Sequence, residues 1–216
     1  MHTYREKAAR LANYISELDS DFKLYTEIDG EYDHIGATIA DAILQARRDY
    51  IRIVKPRVNR ILHVYAEART TSALIDLLRH ITVDEFLDFQ SAIRAQRFRE
   101  VLDLLAEEGV EITSDLRQWL TYPESVAKLR AINGIGLKTA NYFGILCGLP
   151  AVAVDTRLRG FLNRAGISCR NDNEAQRVIE LAADLLGYDR AHFDHSIWRH
   201  MEPKHDNGQD PHPCRT

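Results

Sequence analysis

Apolar residues recur at three- and four-residue spacing along this chain, run after run, and no segment alternates convincingly with the period of two that a half-buried strand needs. Ala8, Leu11, Ala12, Ile15 and Leu18 form the first such stripe. Ile35 to Ala46 is apolar on nearly every side, which predicts a central buried helix. Pro56 fits the first turn of a helix carrying Val58, Ile61, Leu62 and Tyr65. Ser72 is placed to cap a short helix with Leu74, Ile75 and Leu78, and Thr82 with Glu85 fits a capping box ahead of Phe86 and Leu87. Ser91 opens a run through Phe98, Val101, Leu102 and Leu105 that Gly109 closes. Further helical runs are expected at 114–120, 123–130, 137–147, 156–165, 174–186 and 190–201, with Gly187 stopping the penultimate one. The short AVAV at 151–154 follows Pro150 and reads as an extended connection. The expected fold class is therefore all-α.

A chain of 216 residues can bury a real core, as one large domain or two smaller ones. No apolar run approaches the roughly 18 residues of a membrane span. The N-terminal stretch is charged throughout and has no apolar signal core, so the expectation is a cytoplasmic protein with no membrane partner. Cys147, Cys169 and Cys214 are odd in number and far apart, which suggests neither a disulfide framework nor a metal knuckle. The last dozen residues are polar and rich in turn formers, so 203–216 is expected to be a loosely held tail.

The net charge of −4 opposes a nucleic-acid partner only on average, because phosphate binding needs local positive charge. Glu17 to Asp33 holds seven acids against Lys23 alone, whereas Arg47 to Arg60 holds six bases against Asp49. Arg157, Arg159, Arg164 and Arg170 add a second basic group. Charge segregated in this way can steer one face toward DNA, or can simply mark solvated helix faces.

Leu129 to Asp155 concentrates the chemistry. Ile132-Asn133-Gly134-Ile135-Gly136 joins two helical runs. Its glycines let a backbone approach a phosphate closely, its amides can grip that phosphate, and Ile135 can plug the gap between the helices. A plain helical turn is the alternative. Lys138 falls in the first turn of the next helix, where the helix dipole and burial in a cleft both favour the neutral amine a lysine nucleophile requires. A lysine that touches phosphate or water is the alternative. Asp155 lies seventeen residues further on, ahead of Thr156, where it can cap a helix. An ionised carboxylate there can stabilise an oxocarbenium-like sugar, or it can serve as a cap and nothing more.

The segment 129–164 resembles the endonuclease III superfamily of helix-hairpin-helix DNA glycosylases, enzymes of base-excision repair. The matching residues are I-N-G-I-G-L-K-T-A-N at 132–141, G-L-P at 148–150, V-D-T at 154–156 and N-R-A-G at 163–166. Weaker similarity runs from His34 to the helix containing Ser196-Ile197-Trp198. The resemblance implies a catalytic lysine at Lys138 and the essential aspartate at Asp155. It implies DNA contacts from Asn133, Gly134, Ile135, Gly136 and Arg157. ILQAR at 43–47 resembles the family segment whose glutamine enters the space left by an extruded base, which points to Gln45. The residues alone leave Gln45 equally readable as a surface side chain of a buried helix. Asn133 stands where the hairpin usually has proline, and asparagine tolerates turn geometry. Arg157 stands where several relatives have histidine.

Many members carry a four-cysteine iron–sulfur cluster after the last helix. Here that region holds Cys214 alone, and one thiolate cannot hold a four-iron cluster. His205, His212 and Cys214 are the only zinc-type residues nearby. The expectation is thus no cofactor, no iron–sulfur cluster and no metal. The family fold implies a helical barrel lobe at 33–149 ending with the hairpin. The second lobe would combine 1–32 with 150–216, and Lys138 and Asp155 would face each other across the cleft between the two lobes. The implied activity is excision of a damaged base with associated abasic-site lyase chemistry, by a monomer acting on double-stranded DNA. A monofunctional glycosylase using water and a non-catalytic DNA-binding hairpin module are the alternatives. No short motif identifies the base removed.

Overall fold

The computed structural model describes residues 3–45 and 48–202. Twelve α-helices and no strand occur among the described residues. The first helix, α1 (Tyr4–Leu18), opens with a full capping box in which Thr3 and Glu6 satisfy each other's backbone amides. A single 3₁₀ turn (Asp19–Asp21) ends it. All ten residues of α2 (Ile35–Leu44) are buried, which makes it the central helix. Its N-cap is His34, whose Nδ1 accepts the Ala37 amide. Gln45 closes α2, so the helix stops short of the expected Ala46, and Ala46 and Arg47 lie outside the described residues.

A π-helical turn at Tyr50–Val54 leads directly into α3 (Lys55–Val64). Periodicity does not reveal this turn. There the Lys55 amide bonds the Tyr50 carbonyl five residues back, and Pro56, which has no N–H to donate, follows in the first turn of α3. Then come α4 (Thr71–Leu77), α5 (Val83–Leu87), α6 (Ala92–Glu107), α7 (Thr113–Trp119), α8 (Pro123–Ala131) and α9 (Leu137–Leu146). The chain continues as an extended stretch to α10 (Thr156–Arg164), α11 (Asp172–Leu186) and α12 (Arg190–His200).

Some expected caps are wrong in detail. Thr70, not Ser72, caps α4, and the Ser72 hydroxyl donates to Glu111 at 2.5 Å. Ser91 precedes α6, but its side chain caps nothing; its own amide donates to Asp84. The α7 helix starts at Thr113, where Asp115 accepts the Ile112 amide. Thr82 does cap α5 as expected.

The buried apolar residues form two large clusters. One draws on α2 to α9, with Phe86, Phe98 and Phe143 fully buried in it. The other combines α1 with the stretch from Val152 onward, including Leu158, Phe161, Val178, Phe193 and Ile197. The α1 helix lies along α11, and Lys7 clamps the pair through Glu174 at 2.6 Å. A small third cluster of Ile145, Ala153 and Ala191, with Ile28 and Tyr142 packed on it, joins residues from both sides. Residues 203–216, the expected tail, lie outside the described residues.

Candidate active site

The hairpin is built as a tight turn between α8 and α9. The Ile135 amide donates to the Ile132 carbonyl at 3.0 Å, and Gly134 takes a φ of +85° that glycine adopts without strain. Ile135 is only 3% exposed and belongs to the first core cluster, while Asn133, Gly134 and Gly136 are exposed. Arg97 of α6 reaches across, its Nε donating to the Asn133 carbonyl at 2.8 Å. A Cβ on Gly134 would collide with that guanidinium. Gly136 differs. It has ordinary backbone geometry, a Cβ there meets nothing, and it starts α9 without a side-chain cap. The two glycines thus have different roles: Gly134 is required by the turn itself, and Gly136 leaves the first amides of α9 uncapped by any side chain.

A cleft of about 510 Å³ opens where the two clusters meet. Lys138 and Asp155 both line it, together with Gln45 and Arg157. Lys138 is the second residue of α9 and half-buried. Asp155 caps α10, its Oδ1 accepting the amides of Arg157 at 2.8 Å and Leu158 at 3.0 Å. The extended stretch that carries Asp155 is pinned from both sides. Asn141 of α9 donates to the Val152 carbonyl at 2.8 Å, and the Ala153 amide donates to Asp194 Oδ2 of α12 at 2.7 Å. Lys138 and Asp155 therefore come from elements tied together by named bonds.

Asp194 is the residue that sequence reasoning missed. It is buried, lines the cleft, and sits in the field of both Asp155 and Lys138. Burial pushes its carboxyl up to about 8, the Asp155 charge adding to the shift and the Ala153 amide and Lys138 opposing it. The available signal was an acidic residue on the apolar stripe of α12, beside Ala191 and Ile197.

Arg157, an expected DNA contact, is half-buried in the cleft lining. Its guanidinium lies on Trp198, 3.9 Å from the ring centroid, and its Nη1 is buried with no hydrogen-bond partner among the described residues. His195 stacks on Trp198 as well, nearly parallel at 6.3 Å, and burial lowers its pKa. All three side chains line the cleft, which gives it one aromatic wall. Gln45, the C-cap of the buried α2, also lines the cleft.

A second buried carboxylate, Asp41 of α2, lies behind Tyr50 and Tyr142, which line the cleft from the first core cluster. It accepts hydroxyls from Tyr32 at 2.7 Å and from Tyr50 and Tyr142 at 3.2 Å. Burial raises Asp41 to about 6 and raises all three phenols, with the Asp41 charge the next cause for each phenol. Tyr142 is one helical turn past Lys138, so this network fixes α9 against α2 and the π-helical turn.

Cys147 sits in the first core cluster, where burial pushes its thiol up to about 12, and Cys169 packs against the second. Among the described residues no three His, Cys, Asp or Glu side chains group as a metal site would need. His205, His212 and Cys214 lie outside the described residues. No described helix is long and apolar enough to cross a membrane.

Residues 9–202, spanning both core clusters and every residue of the cleft, match the family described as Domain of unknown function (DUF8548). The chain belongs to that family. No curated protein and no solved structure matches this DUF8548 member.

Proposed function

We propose that this DUF8548 member is a DNA glycosylase with abasic-site lyase activity, built on a two-lobed endonuclease III-like fold. In this reading the first core cluster is the 33–149 barrel lobe, the second is the discontinuous lobe of 1–32 and 150–216, and the protein acts as a monomer on damaged duplex DNA. The observation that carries the reading is the shared cleft of Lys138 and Asp155, with an exposed phosphate-ready hairpin on the same helix as Lys138. The damaged nucleotide is flipped into the cleft. The Lys138 amine attacks C1′ of the deoxyribose, and the C1′–base bond breaks with its electron pair leaving on the base. Loss of the Nζ proton and ring opening give an imine, from which β-elimination expels the 3′ phosphate. Asp155 is the fixed negative charge beside the cationic sugar, aimed by its two amide bonds.

Borohydride reduction of the imine tests this. The protein mixed with abasic-site duplex and borohydride is expected to become covalently attached to DNA, and Lys138→Gln is expected not to. Base release without trapping would transfer the nucleophile role to water. Equal trapping of wild type and Lys138→Gln would remove Lys138 from the role altogether. The base removed is identified by a panel of single-lesion duplexes.

A further inference from the structure

Much of the positive charge that is clustered in the sequence is used inside the protein. Lys55 pairs with Asp29 at 2.9 Å, Arg60 donates to the Phe86 carbonyl, Arg159 pairs with Asp172 at 2.6 Å and Arg170 with Glu174 at 3.0 Å. A different set of arginines, from segments distant in sequence, gathers on Phe89. Arg94 lies 5.2 Å from the ring centroid, Arg57 5.3 Å and Arg48 5.8 Å. Arg57 is committed to the Asp88 and Ile53 carbonyls and anchors the group. Arg94 feels the others: burial first, then the like charges of Arg48 and Arg97, pull its pKa below the ordinary range. Arg97, one turn along α6, reaches the hairpin carbonyl of Asn133. Arg48 lines the cleft. Neither Arg48 nor Arg97 forms an ion pair with a described residue.

A chain of net charge −4 needs a local basic focus if it is to hold DNA at all. Guanidinium forks match phosphate oxygens, and the Phe89 ring under Arg48 and the Asn133 carbonyl on Arg97 set their orientation in advance. We propose that Arg48 and Arg97, at the two ends of the arginine group around Phe89, form one preorganised phosphate track along which the backbone of duplex DNA runs from the hairpin to the cleft. This rests on the glycosylase reading and adds to it a defined surface.

The test is a salt titration of binding to an undamaged fluorescent DNA duplex. Wild type is expected to show a log–log slope of several units. Arg48→Gln with Arg97→Gln is expected to lower that slope by about two, since each lost phosphate contact removes about 0.9. Arg99→Gln, which removes one charge from the same helix as Arg97, is expected to leave the slope unaltered, where Arg97→Gln alone lowers it by about 0.9. Phe89→Leu keeps every charge and is expected to weaken binding several-fold while the melting temperature stays within the range of a folded protein. An unchanged slope in the double variant, or an equal loss from Arg99→Gln, overturns the track and leaves the glycosylase reading standing. Wild type that binds no duplex DNA overturns both. Equal affinity for double-stranded RNA, lost equally in the double variant, overturns the assignment to DNA.

Discussion

Two carboxyls line the cleft side by side: Asp155 accepts two backbone amides at the start of α10, whereas Asp194 is buried in α12 with a single amide bond and a carboxyl pushed up to about 8. The same functional group is prepared in two ways. The Asp155 setting is built from residues contiguous in sequence, where the capping side chain and the capped amides are two and three residues apart. The Asp194 setting closes a contact across 41 residues, and burial there favours the protonated carboxyl. A cleft that prepares two carboxyls so differently can place one against a substrate and keep a proton on the other.

The sharpest way to break this contrast is at Asp155. Asparagine caps a helix about as well as aspartate, so Asp155→Asn keeps the cap and removes only the charge. Base release is expected to slow on the order of 10²-fold or more, with DNA binding and melting temperature retained. An active Asp155→Asn enzyme would leave Asp155 as a cap only. Asp155→Ala, which removes the cap as well, is expected to lower stability by about 1 kcal/mol in addition.

Asp194 separates from Asp155 by its pH dependence. Its folded value of about 8 lies above the ordinary 3.8. Between those values the unfolded chain has released the proton and the folded protein keeps it, so stability falls as pH rises and levels off above about 8. Asp41 acts in the same direction only up to about 6. Glu174, held down to about 2 by its bonds to Lys7 and Arg170, acts only at acid pH and in the opposite sense. His34 and His195, both lowered from 6.5, add stability as pH rises toward that value and nothing above it. The interval from about pH 7 to 8 therefore belongs to Asp194 among these shifted groups. Asp194→Asn keeps an acceptor for the Ala153 amide and is expected to flatten melting temperature against pH in that interval. A wild-type curve already flat there would remove the neutral carboxyl from Asp194.

These two carboxyls also mark how far the chain was readable. Helix count and class were legible because amphipathic stripes and caps are local; the Thr82 cap and the Ile135 plug could be placed from a few residues each. Ser72 was misplaced because Thr70 competes for the same role two residues away and Glu111, 39 residues off, claims the Ser72 hydroxyl. The π-helical turn is a one-residue shift of hydrogen-bond register just ahead of Pro56, which no periodicity reports. Lys138, Asp155 and the hairpin sit in one short segment, so the candidate site could be proposed from it. Asp194, the Arg157–Trp198 stack and the arginines on Phe89 depend on contacts between distant segments, and an arginine's neighbours are invisible until the chain is folded.

The smallest expected effect concerns the two hairpin glycines, which look equivalent in sequence and are not. Gly134 has φ +85° and faces the Arg97 guanidinium, whereas Gly136 has ordinary geometry and open space. Gly134→Ala adds both backbone strain and a clash, and is expected to destabilise by roughly 1–2 kcal/mol. It also displaces Arg97 from the Asn133 carbonyl, so duplex binding falls alike on every sequence, because phosphate contacts carry no base information. Gly136→Ala is expected to change melting temperature little and to weaken DNA binding only through the new methyl beside the uncapped amides of α9. Thermal unfolding and anisotropy on two unrelated duplexes measure both. Equal loss of stability in the two variants would mean that Gly136, too, is required by the turn. Loss of binding to one duplex alone would move the hairpin from backbone anchoring to base recognition.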